Sequence, residues 1–171
     1  MALSNMFKSR RTMLRKRAET LLPAAQIAGV SAYTSLVDKF PQFSSVSIRD
    51  WDFLFPVAAV FVATMSLDSP KISIELKSEL SAIYGRVLDK WSKDWNRAFK
   101  DCGDFFWRTA DALQQSNDPE YIESPKYGIS DPLGTWLVWN LLGFTPQTPD
   151  ERKLIRAVGL LATVDFIGWW N

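Results

Sequence analysis

The chain has no histidine and one cysteine, Cys102. Without histidine it lacks the commonest general base, the commonest metal ligand and the usual partner of a catalytic serine or cysteine. A single cysteine excludes an internal disulfide and, with no histidine beside it, a structural zinc site. The Glu-x-x-His motif of di-iron bundles is excluded in the same way. No glycine-rich phosphate loop and no G-x-G-x-x-G run occurs, so the sequence carries no nucleotide signature. These absences leave no metal and no cofactor to expect. An enzyme built on this chain would have to work with carboxylates, lysine, tyrosine or a group bound from outside.

Acidic residues are missing from the first 18 positions, which hold Lys8, Arg10, Arg11, Arg15, Lys16 and Arg17. That stretch carries +6; the other 14 basic residues face all 19 acidic ones, leaving −5 on the remainder. A basic arm on a mildly acidic body is the main charge asymmetry. Residues 1–22 form an amphipathic helix, capped by Ser4 or Asn5, with Phe7, Leu14, Ala18 and Leu21 on one side. The basic side suits an acidic protein partner, self-association or an anionic membrane surface. Nucleic acid suits it least, because no aromatic residue interleaves with the cations for stacking. The Arg-rich, acid-free start also has the composition of an organellar import sequence.

What is abundant is apolar and aromatic. Of 171 residues 47% are hydrophobic, with eight Trp and eleven Phe, enough for one domain with a substantial core. Pro23 suits the first turn of a second helix, with Ile27, Val30, Thr34, Val37 and Phe40 along its inner stripe and Pro41 at its end. Ser47 and Asp50 resemble a capping box. Trp51 to Leu67 follows, uncharged from Phe53 to Met65. That run is shorter than the ~20 residues a bilayer requires. It is apolar on every side, which places it at the centre of a bundle, with Pro56 starting or kinking it.

From about Pro70 to Gln115, apolar residues recur at steps of three and four, including Leu80, Ile83, Trp91, Trp95, Cys102 and Leu113. The spacing predicts one very long amphipathic helix at about 70–115, either continuous or broken at Gly85 or Gly103. Asp89 with Lys93 and Asp104 with Arg108 are acid-before-base pairs at helical spacing. Trp91 and Trp95 read as core, and Cys102 as a small buried hydrophobe. Residues 116–133 are an irregular loop, with Tyr121, Glu123, Lys126 and Tyr127 as its recognising side chains. A short helix at Leu133–Leu142, ended by Gly143, precedes the last one. Thr148, Pro149 and Glu151 supply a cap, a first-turn proline and a capping-box acid. Asp165 interrupts that last apolar helix and is the weak catalytic candidate, since a carboxylate there must pair, reach water or shift its pKa. Trp169 and Trp170 either dock into the core or anchor a partner.

Together these features predict an all-α, single-domain bundle of about six helices: a basic arm over 1–22 and a helical core over 23–171. The expected function is a non-catalytic protein-interaction module, an adaptor, inhibitor, immunity-type or assembly factor, binding an acidic partner surface through residues 8–17 in the cytoplasm. The alternatives are a peripheral membrane protein using the N-terminal helix, and a small-molecule-binding protein or carboxylate-based enzyme around Asp165.

Overall fold

A computed structural model of the protein describes residues 2–67, 72–88, 92–115, 124 and 127–170, with side chains from residue 10 onward except 84, 87, 88 and 114. The charge-free segment is the centre of an all-helical bundle. It forms α2, Ile48–Ser66, and buries Trp51 and every residue from Leu54 to Ala63. Ser47 caps this helix, its Oγ accepting from the Arg49 amide at 3.2 Å. Asp50 does not close a capping box, and Pro56 lies inside the helix rather than at its start.

Around α2 stand α1 (Ala2–Lys39), a 3₁₀ turn (Pro41–Ser45), α3 (Ile74–Leu88), α4 (Lys93–Gln115), α5 (Tyr127–Leu142) and α6 (Pro149–Thr163). Three of these boundaries differ from the sequence expectation. First, α1 runs straight through Pro23 for 38 residues instead of ending near Leu22. Proline removes its own amide donor and crowds the carbonyl four residues back, but the turn on either side is held by buried Leu21 and Ala25. Second, the long element over 70–115 is two helices, and Gly85 and Gly103 both lie inside them. The interruption includes the non-helical Ser92, whose Oγ accepts from the Trp95 amide at 3.4 Å as a cap for α4. Third, α5 begins at Tyr127, so residues 127–133 are helical rather than loop, with Pro132 inside.

The core is continuous. Tyr33, Phe43, Trp51 and Phe55 form an aromatic cluster between α1 and α2, with Phe43 edge-on to Trp51 at 5.3 Å. The Trp51 indole donates to the Gly29 carbonyl at 2.7 Å, which fixes the α1–α2 spacing. Phe61 packs on Phe99 and Phe106 of α4, and Phe53 meets Trp95 edge-on at 5.1 Å. The stripe of α1 that enters this core is Leu14, Ala18, Leu21, Ala25, Ala32 and Leu36. It is not Ile27, Val30 and Thr34, all of which are exposed. Around Gly29 the inner face is small, Ala25 and Ala32 flanking it, because α2 comes close there: a Cβ at Gly29 would lie 2.9 Å from the Phe55 ring.

Gly143 adopts a φ of 75° and ends α5 in the left-handed region. Thr148 and Glu151 form the full capping box of α6. Asp104 and Arg108 do not pair through the carboxylate; Arg108 Nε donates to the Asp104 carbonyl at 3.0 Å. Asp89 and Trp91 lie outside the described residues.

Candidate functional site

The basic residues of α1 are partly committed within the molecule. Arg11 and Arg15, one turn apart, both bind the carboxylate of Glu79 on α3, Arg15 Nε reaching Oε1 at 2.6 Å. Burial alone would raise the Glu79 pKa, but the hydrogen bonds from Arg15 and Arg11 outweigh it and hold the carboxyl below its usual value. Arg17 is half-buried and donates to the Trp169 carbonyl at 2.7 Å, while the Trp169 indole returns a bond to the Arg17 carbonyl at 3.1 Å. Arg10 and Lys16 are exposed. The side chain of Lys8 and all of Tyr121, Glu123 and Lys126 lie outside the described residues.

The terminal tryptophans face inward. Trp170 is buried and its indole donates to the Ala63 carbonyl of α2 at 2.6 Å; Trp169 is half-buried and stacks on Phe166. Neither stands out as an anchor for a partner. Asp165 is exposed on the turns that follow α6, because that helix ends at Thr163. The premise of a carboxylate trapped on an apolar helix face therefore fails. Tyr127 is half-buried in the first turn of α5, with the Arg156 guanidinium 3.8 Å over its ring.

Sequence reasoning missed the most buried ion pair among the described residues. Arg156 on α6 grips Asp131 on α5 with two bonds, at 2.7 and 3.2 Å, and Ser130 Oγ adds a third contact to Asp131. The partners are 25 residues apart, so neither periodicity nor local spacing could join them. Asp131 is fully engaged in tying two helices together, which is a structural arrangement rather than a poised acid. Cys102 is completely buried, and that burial, with Asp101 nearby, pushes its thiol far up and out of the reactive range.

Two open grooves lie among the described residues. One, of about 420 Å³, lies between α2, α4 and α5 over Asp94, Arg97, Asp101 and Asn140, and Asp101 accepts from the Trp136 indole at 2.9 Å. The other, of about 370 Å³, is mostly apolar and lies beside α1 over Gln26, Ile27, Val30, Ser31 and Asp52. Of its lining residues, Asp52 has its Oδ1 shut from water and without a hydrogen-bond partner. No group of three or more metal-ligating side chains occurs among the described residues.

The unusual surface is the one beside the second groove. Residues 20–37 contain no charged side chain, yet this part of α1 is on the outside. Ile27 is 68% exposed and Val30 is 52% exposed. By length and composition α1 is apolar enough to cross a membrane, but only 22% of its most apolar 18-residue window is buried in the bundle. A core helix of a water-exposed protein would be mostly buried, and a surface helix would carry charge on its outer face. The signal was present in the sequence as an 18-residue charge-free run, broken in appearance by Pro23. No protein-family model, curated protein or solved structure matches the chain.

Proposed function

We propose that the protein is a non-catalytic protein-interaction module, and that its contact surface is the outward face of α1. One observation carries this reading: Ile27 and Val30 stand exposed on a charge-free length of helix that the bundle does not cover. Exposed aliphatics on such a surface are paid for when another surface removes them from water. Three of the acids are already occupied: Glu79 by two arginines, Asp131 by Arg156, Asp101 by Trp136. The acidic partner surface expected from the basic arm would meet Arg10, Arg11, Arg15 and Lys16, all exposed, of which Arg11 and Arg15 also share Glu79. A cytoplasmic site of action suits the single, buried thiol.

The test is a photo-crosslinking residue at position 30 in the full chain, expressed in its own cells. The reading expects an adduct with protein, lost when Ile27→Glu is added. The second reading, a membrane-associated protein, rests on the length and composition of the same helix. It expects lipid adducts and flotation with anionic liposomes, reduced by Arg10→Glu with Lys16→Glu. Arg11 and Arg15 are unsuitable for that test, because reversing them sets like charges against Glu79.

A further inference from the structure

The outward face of α1 is palindromic in position. Lys16, Thr20, Pro23, Ile27, Ser31, Thr34 and Asp38 are all exposed. Their steps are 4, 3, 4, 4, 3 and 4, so the set is symmetric about Ile27. At 3.6 residues per turn those steps keep all seven on one line down the helix, over about 33 Å between the charged ends. One end is a cation and the other an anion, and none of the five residues of the set between them is charged.

From this we infer that α1 pairs with α1 of a second copy of the chain, antiparallel, about a two-fold axis at Ile27. This inference rests on the interaction reading above and names its partner. An antiparallel copy in this register sets Lys16 against Asp38 at both ends, Thr20 against Thr34, Pro23 against Ser31, and Ile27 against itself. A parallel copy would set Lys16 against Lys16 and Asp38 against Asp38, so the charges choose the orientation. The interface is isologous, as two-fold dimers require.

Two of the three hydroxyl residues in the set, Thr20 and Ser31, do not oppose burial. Thr20 Oγ1 donates to the Lys16 carbonyl at 2.9 Å, and Ser31 Oγ donates to the Ile27 carbonyl at 2.9 Å. Both hydroxyl donors are satisfied inside α1, so an arriving helix leaves them with no unpaired hydrogen. Small and aliphatic residues at the centre permit close approach, and Val30 lies beside the counterpart of Pro23. A strip about 33 Å long and about 10 Å wide is below the ~800 Å² per partner of a standard interface. The dimer is therefore weak and concentration-dependent.

Sedimentation of the full chain over a range up to about 200 µM reads this directly. The expected result is a reversible dimer, weakened about tenfold by Asp38→Lys or Lys16→Asp alone and restored by the double exchange. All three variants change exposed residues, and circular dichroism with a urea midpoint confirms that they fold. Independently, Ile27→Cys is expected to form a disulfide-linked dimer on mild oxidation, since helices packed about 8–10 Å apart bring facing Cα atoms within disulfide reach. Ile74→Cys, 77% exposed on α3, is the control that stays monomeric. A monomer at every concentration, or charge reversals without effect and without rescue, overturns the proposal. Flotation of the wild-type chain with liposomes also overturns it and gives the face to lipid. A monomer that still captures a different protein through position 30 removes the second copy while leaving the interaction reading intact; no adduct of any kind removes both.

Discussion

Gly134 of α5 and Gly159 of α6 face each other where the two helices cross. A Cβ on Gly134 would lie 1.9 Å from the Ile155 carbonyl oxygen, and one on Gly159 would lie 1.8 Å from the Ser130 carbonyl oxygen. Both obstacles are backbone, so no side-chain rotation relieves them. Helix propensity alone says that Gly→Ala in a helix gains up to about 1 kcal/mol. Here the contact decides the sign.

Gly134→Ala and Gly159→Ala are therefore each expected to destabilise by about 3 kcal/mol or more, because α5 and α6 must separate and loosen Leu133, Leu137, Val158 and Ala162. Gly85→Ala is the control with the opposite sign. Nothing lies within 4 Å of its added Cβ inside α3, and it should gain about 0.5–1 kcal/mol. Urea unfolding of the three variants gives the comparison; a neutral Gly134→Ala would mean that the helices are not in this contact.

The same crossing is pinned by Asp131 and Arg156, whose side chains are 11% and 23% exposed. Removing one partner leaves the other largely desolvated and unpaired. Asp131→Ala should cost about 3 kcal/mol. Arg156→Ala loses the stacking over Tyr127 as well. The double variant should cost less than the two singles added together, and the coupling in that cycle measures the pair. Additive effects would show that the bond contributes nothing.

What the sequence revealed and what it hid divide by the range of the interactions. The cap and capping box at Thr148–Glu151, the left-handed Gly143 and the buried run in α2 depend on neighbours within one turn, and each was legible. The inner stripe of α1 was misread because Ile27 and Val30 outweigh Ala25 and Ala32 on any hydrophobicity scale, while the close approach of α2 demands small residues. Pro23 made one helix look like two, and with that the symmetric outer face vanished from view. Asp131 with Arg156, Glu79 with Arg11 and Arg15, and Trp170 with Ala63 are all long-range. Nothing local marks any of them, so the candidate site residues could be named but not placed.

Acid sensitivity follows from two carboxyls held below the ordinary glutamate value of 4.5. For Glu79, burial opposes the shift and the bonds from Arg15 and Arg11 produce it. For Glu151, the amides of Gln147 and Thr148 produce it. A carboxyl whose folded pKa is depressed contributes stability above its unfolded pKa and loses it as pH falls through the folded one. Glu79→Gln should therefore be less stable than wild type at pH 7, and the gap should close as pH falls below 4.5 and through the lowered folded value. Salt should narrow the gap too, since the two guanidiniums are exposed. A gap unchanged from pH 7 to pH 3 would show that Glu79 is held by something other than charge.

Cys102 gives a probe of the core that needs no substitution. Its side chain is 0% exposed on α4, and burial raises its thiol pKa. The thiolate that reacts with disulfide reagents is therefore scarce as well as inaccessible. Native protein should react with such a reagent no faster than the bundle opens, and full reactivity should appear at the same urea concentration as the loss of helical circular dichroism. Rapid labelling of folded protein would mean that α4 detaches from Phe61 and α2 on its own, and would separate the stability of that helix from the rest.

Pro23 offers the last test, and it bears on the whole length of α1. A proline inside a helix removes the hydrogen bond to the carbonyl four residues back and typically costs about 3 kcal/mol. Its stiffening of the unfolded chain returns roughly 0.4–1 kcal/mol of that. Pro23 is exposed, so Pro23→Ala disturbs no packing within the chain and should raise stability by about 2 kcal/mol. If α1 were instead two helices meeting at Pro23, the proline would sit at a first turn, where it is favourable, and the same change would lower stability. The sign of one measured difference thus decides whether Lys16 and Asp38 share a single helix, on which the antiparallel register depends.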